Sequence, residues 1–276
     1  MWSHWRHTQI YKENRPRQKK FLSMNNKMAI YGLDQAQRTA AKVAGILYLF
    51  TIVTANLAEF YVRRPLIVPG DAAQTATNIA EHQQLFRIGI TSDLIMLAAN
   101  VMLVVALYVV LKPVSKNLAL LAVFWRLVEC SIAAASVAID FAALLLLSGA
   151  GSSPSSNSEQ QALARLLVSM DTGGNLVAAL FFGLGSTVFC YLWFKSRYIP
   201  RLLAAWGILA SLVPTIAPLA TIALSSLADA PLRRARAGTP ILIFEVVIGL
   251  WLLIKGINAP LQNVPSSSFG PSSPAT

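Results

Sequence analysis

Six mostly apolar stretches recur along the chain, at about 40–62, 86–111, 118–148, 173–195, 201–227 and 240–258. A helix rises ~1.5 Å per residue, so about 20 such residues cross the ~30 Å hydrocarbon layer of a bilayer. Lipid offers no partner for backbone N–H and C=O groups, and a helix satisfies them within the segment. The expected fold is therefore all-α: a polytopic transmembrane helix bundle of about six spans. Composition agrees, since 13% of the 276 residues are charged and 55% are hydrophobic, against about 25% charged in a soluble domain. An ordinary water-soluble enzyme is excluded, and so is disorder over most of the chain.

Breakers mark the span ends. Pro113 follows the second run, Pro200 precedes the fifth and Pro240 opens the sixth; proline in a first helical turn loses no hydrogen bond. The third run has 31 residues, so it must tilt or project beyond the bilayer. Pro214 and Pro218 lie inside the fifth run and are expected to kink it. Small residues at four-residue spacing, Ala41 with Gly45 and Ala134 with Ala138 and Ala142, read as close helix approaches.

Residues 1–37 form a basic tail that is expected to be disordered, residues 38–258 the membrane domain, and residues 259–276 a disordered Pro/Ser-rich tail. Residues 1–30 have no periodicity, and Met24 and Met28 are alternative start positions. The formal net charge is +11, and its excess lies in the N-terminal tail. With that tail inside, fifteen Lys and Arg fall on the inner side and seven in outer segments. This asymmetry favours a multi-pass protein of the bacterial cytoplasmic membrane with both termini inside. The outer segment with Arg233, Arg234 and Arg236 opposes it. The basic residues read as a topology signal, and no nucleic-acid partner is expected. The bilayer itself is the expected partner.

Two outer loops are long. In 63–85, Gly70 ends a turn and Asp71 caps a short helix. In 149–172, Ser158 and Gln161 have capping-box spacing before an amphipathic stretch. Two short extracytoplasmic helices are expected.

Charges inside the apolar runs are the informative residues. Each costs ~2.5–3.5 kcal/mol to insert and needs a partner or water. Glu59, Asp93, Arg126, Glu129 and Glu245 are candidates for one ligand cavity in the outer half of the membrane, with Arg63, Arg87 and Asp140 at its periphery. Helical rise places Glu59 roughly 27 Å up the first span, Asp93 ~10 Å below the outer end of the second, and Glu245 ~8 Å below the outer surface. Arg126 and Glu129 share a face at i, i+3.

No cofactor or metal is expected. The chain has 3 His and 2 Cys, with no zinc spacing and no H-E-x-x-H. "GLGS" at Gly183–Ser186 lacks the following glycine of an intramembrane serine protease, and no span holds a histidine to activate it.

The runs "RTAAKVAGILYLF" (Arg38–Phe50), "AEFYVRRPLIVPGDAAQTATNI" (Ala58–Ile79), "LFRIGITSDLIM" (Leu85–Met96), "LYVVLKPVSKNLALLAVFWRLVE" (Leu107–Glu129), "SRYIPRLLAAWGILAS" (Ser196–Ser211) and "EVVIGLWLLIKGI" (Glu245–Ile257) resemble a bacterial integral-membrane family known as domain-of-unknown-function family 4386. The resemblance implies a multi-helix membrane protein and transfers no catalytic or ligand residue. The leading functional expectation is a non-enzymatic protein that binds or passes a small solute or lipid. The alternatives are a structural or assembly component with interhelix ion pairs, and a lipid-acting enzyme using carboxylates.

Overall fold

The computed structural model describes residues 35–68, 71–148, 157–223 and 238–257. Both tails, Gly70 and the segment with Arg233, Arg234 and Arg236 lie outside the described residues. The elements are α1 (Gln35–Leu66), α2 (Ala72–Glu81), α3 (Gln83–Leu111), α4 (Lys116–Leu147), α5 (Asn157–Ser196), α6 (Arg201–Ala223) and α7 (Thr239–Ile254). Every described element is helical. α1, α3, α4, α6 and the Gly173–Ser196 part of α5 are long and apolar enough to cross a membrane. The chain is thus a multi-pass membrane protein. Its large exposed side chains (Ile46, Val53, Leu57, Leu94, Phe124, Leu209 and others) form the surface that lipid solvates.

The prolines fall where helix chemistry puts them. Pro113 lies in the turn after α3, the Pro200 carbonyl accepts from Ala204 N–H, and Pro240 sits in the first turn of α7. Asp71 caps α2, its Oδ1 accepting from Gln74 N–H at 2.9 Å. α6 runs unbroken through Pro214 and Pro218. Two side chains of the same helix bond back to its backbone beside the prolines: Thr215 Oγ1 donates to the Ser211 carbonyl at 2.9 Å and Ser211 Oγ to the Gly207 carbonyl at 2.7 Å.

The sixth apolar run forms a shorter apolar helix of 16 residues, about 24 Å long. It stops because Gly256 turns to φ +68°, with its N–H and that of Lys255 both reaching the Trp251 carbonyl. Two sequence expectations need correction. The second short outer helix is not separate: α5 is continuous over 40 residues, with Ser158 inside it rather than at its cap. Gly173 and Gly174 do not break it, and Gly174 lies against Ser136 of α4. Finally, Ala134, Ala138 and Ala142 are exposed, whereas Ser136, Val137 and Ala143 are buried. The alanine stripe therefore faces out, and the seam runs beside it.

Contacts fix the direction of each helix. Gln37 Nε2 donates to the Val110 carbonyl and Arg63 pairs with Asp93, so α1 and α3 are antiparallel. Gly185 meets Arg126 and Gly174 meets Ser136, so α4 and α5 are antiparallel. Gly183 meets Thr215 and Gly207 meets Cys190, which reverses α6 against α5. The result collects Arg38, Lys42, Lys112, Lys116, Lys195, Arg197 and Arg201 at one end, with no acid among the described residues there. Asp71, Glu81, Asp93, Asp140 and Asp171 lie toward the other. The bundle thus has a basic end and an acidic end. α7 starts beside the start of α6: Trp206 Nε1 donates to the Pro240 carbonyl at 3.3 Å, and Phe244 packs on Gly207.

Gly45 and Gly249 bring α1 against α7. A methyl on Gly45 would sit 2.8 Å from the Gly249 carbonyl oxygen and 3.0 Å from Leu253 Cγ. Gly45→Leu is expected to cost at least ~1–3 kcal/mol of overpacking, read as lost thermal stability in detergent. Gly173→Ala, with nothing within 4 Å of the added methyl, is expected to leave stability unchanged or raised.

Candidate functional site

The charges inside the spans gather in two places rather than one. The first centre lies mid-bundle around Arg126, whose side chain is 6% exposed. α4 carries Arg126, Glu129 and Cys130 on adjacent turns, and the i, i+3 spacing brings Glu129 Oε2 to 3.3 Å from Arg126 Nη1. Asn100 of α3 supplies the cross-link: its Oδ1 accepts from Arg126 Nη2 at 2.6 Å, and its Nδ2 points to Glu129 Oε1 and Cys130 Sγ at 3.5 and 3.4 Å. The guanidinium carbon stands 4.4 Å from the Phe182 ring centroid on α5, a cation–π contact in a desolvated setting. The stem passes Gly185, where a methyl would come within 2.7 Å of Arg126 Cγ. Glu245 of α7 is half-buried and within electrostatic range of Arg126 and Glu129. Its place is set by the start of α7 beside Trp206, so Glu245 belongs with Arg126 and not with the acidic end that the sequence-derived depth gave it.

The second centre is at the acidic end. Its geometry starts with a π-helical turn at Glu59–Arg63 in α1, closed by Arg64 N–H to the Glu59 carbonyl. The extra residue changes which side chains face inward. Ala58, Val62 and Leu66 are buried, Val62 lies over Gly89 of α3, and Arg63 turns in to Asp93. Arg63 Nη2 and Asp93 Oδ2 are 2.7 Å apart, with side-chain exposures of 36% and 8%. Asp93 Oδ1 is buried and has no hydrogen-bond partner among the described residues. A cavity of about 10 Å³ is lined by Arg63, Asp93 and Asp140 with Ala58, Val62, Phe86, Gly89 and Ile90. That is room for about one water. Asp171, two residues before the apolar part of α5, joins from the far side; it bonds to Ser136 of α4 and accepts from Asn175 Nδ2 at 2.9 Å. Burial holds its carboxyl above the ordinary range against the opposing pull of Arg63 and these hydrogen bonds.

Two expected site members stand apart. Glu59 is on the outward side of the π turn, paired with Arg64 at 3.6 Å, with exposures of 47% and 59%. Arg64 stacks over Phe60 at 4.1 Å. Arg87 is exposed. Residues that sequence reasoning did not single out complete both centres: Asn100, Phe182 and Gly185 in the first, Ser136 and Asp171 in the second. Asn100 carried a signal, a lone amide in an apolar run. Phe182 and Asp171 carried none, because their helix register against α4 is not written in local pattern.

A profile of the family described as domain of unknown function DUF4386 matches residues 43–256. The chain belongs to this family. The match covers every apolar helix of the bundle and both charged centres. No curated protein and no solved structure matches the chain significantly.

For this DUF4386 protein, Arg126→Leu alone is expected to cost ~3–5 kcal/mol, because it strands Glu129 without its partner. The double variant Arg126→Leu, Glu129→Leu is expected to recover most of that loss in thermal unfolding in detergent. Glu59→Gln, which removes an exposed pair, is expected to change stability by no more than ~1 kcal/mol.

Proposed function

We propose that this DUF4386 protein binds a small cation at the acidic end, either the proton or an ion about the size of one water. One observation carries the reading: Asp93 and Asp140, from α3 and α4, line the cavity with Arg63, Asp171 of α5 is within electrostatic range of the same guanidinium, and Asp93 Oδ1 is left unpartnered. Three carboxylates against one arginine leave an excess of negative charge where solvation is poor, and a bound cation or proton balances it. Size supports a narrow reading. Sites for drug-sized ligands run to ~300–1,000 Å³, whereas this cavity is about 10 Å³. Among the described residues no group of three or more His, Cys, Asp or Glu has metal-holding geometry, which favours the proton over a divalent ion. Glu81 and His82, at the end of α2 on the same side, are exposed and add no buried charge.

The seven cations at the basic end support an orientation with the start of α1 in the cytoplasm of a bacterial cell and the acidic end outside. The site then draws its cation from the external side.

The Arg126 centre favours a second role, that of an interhelix lock. Its guanidinium has a carboxylate, an amide oxygen and a ring face as partners from three helices, although Nη1 makes an ion pair with Glu129 and no hydrogen bond among the described residues.

Infrared difference spectroscopy on the protein in vesicles, across a pH step, tests the first role. The expected result is a carboxyl C=O band that grows as pH falls, is diminished in Asp140→Asn and is diminished further in Asp93→Asn, Asp140→Asn, the remainder belonging to Asp171, with both variants folded. A band unchanged in the double variant would overturn the reading. Loss of folding in Asp93→Asn would also overturn it, because Asp93 would then be one half of a structural pair.

A further inference from the structure

The geometry points to a binding groove for an anionic phospholipid at the basic end, between α1 and α3. Gln35, Ala36, Thr39, Ala40 and Val43 of α1 face Val101, Met102, Val105 and Ala106 of α3 across a groove of about 700 Å³. It opens sideways onto the surface that lipid covers, where Val43, Val101, Met102 and Val105 are 37–58% exposed. The volume is within the ~300–1,000 Å³ of small-molecule sites.

The polarity of the groove is graded. Because α1 and α3 are antiparallel, Gln35 and Thr39 lie toward the basic end, and Val43, Val101 and Met102 lie deeper. Lys42 follows Gln35 by seven residues and Lys112 follows Val105 by seven, two helical turns in each case, so each shares a helical face with a groove residue. Both lysines are exposed, and no acid lies on the groove-lining stretches of α1 and α3. An occupant must then be apolar along one part and anionic at its basic-end tip. A phospholipid with net negative charge has that form: an acyl chain lies along Val43, Val101, Met102 and Val105, and the phosphate sits against Lys112, with Lys42 reaching up from about two turns deeper. The second groove on α1, about 530 Å³ among Val53, Asn56, Leu57, Phe60 and Tyr61, has Arg63 and Arg64 at the same seven-residue spacing, but each is paired with an acid, Asp93 and Glu59.

Native mass spectrometry of the full chain in mild detergent, titrated separately with phosphatidylglycerol and with phosphatidylcholine, tests this. The wild-type protein is expected to retain phosphatidylglycerol in preference. Lys42→Gln and Lys112→Gln should each reduce the preference by about fivefold. Val105→Trp, at a 55% exposed position, should fill the groove and abolish retention, while Leu57→Trp in the other groove should leave it intact. Equal retention of the two lipids by the wild type, or unchanged retention in Val105→Trp, would overturn the proposal. So would a wild-type mass that shows a second copy of the chain and no lipid, since the groove would then be an interface between copies.

Discussion

The bundle is organised around one buried guanidinium. Arg126 sits in a layer that neither water nor lipid can solvate, so its side chain dictates what surrounds it: Glu129 one turn away, Asn100 from α3, the Phe182 ring and the Gly185 gap from α5. In the membrane there is no hydrophobic drive to bring these helices together, because lipid tails are as apolar as leucine. Polar contacts and close backbone approach do that work. α3, α4 and α5 are joined at one level, and the glycines at 183 and 207 extend the seam to α6.

That lock leaves the acidic end free to differ. There the helices pack through an apolar cluster of Val62, Leu66, Ile79, Phe86, Ile90 and Val137, and the Arg63–Asp93 pair between α1 and α3 sits beside it at the π turn. Carboxylates from α4 and α5 crowd the same space. A region with one strong pair and surplus acids has more to gain from a bound cation than one whose charges are matched. The two centres lie on the same helices: Asp93 precedes Asn100 by seven residues on α3, a separation of about 10 Å.

Much of this was legible in the sequence, and the reasons it stopped are physical. Span existence follows from apolar length, and Asp71 as the α2 cap and Pro240 in the first turn of α7 follow from local chemistry. Arg126 with Glu129 follows from helical spacing. Depth estimates failed where they assumed a regular helix or a simple hairpin order. Glu59 opens the π turn and pairs with Arg64 rather than with the interior, and Glu245 is carried to Arg126 because α7 begins beside Trp206. Asp171 looked like a loop residue; only the continuity of α5 over 40 residues brings it to Ser136. The exposed alanine stripe on α4 shows that small residues permit close approach without requiring it.

The central claim is that the two charged centres are separate, one a lock and the other a site. The coupling energy between them measures this most directly, from thermal or denaturant unfolding of Asp93→Asn, Arg126→Leu and the double variant in one detergent. Independent centres predict effects that add within ~0.3–0.5 kcal/mol, while the same cycle on Asn100 and Arg126 shows strong coupling. A coupling of ~1 kcal/mol or more between Asp93 and Arg126 would mean one shared network and would contradict the account.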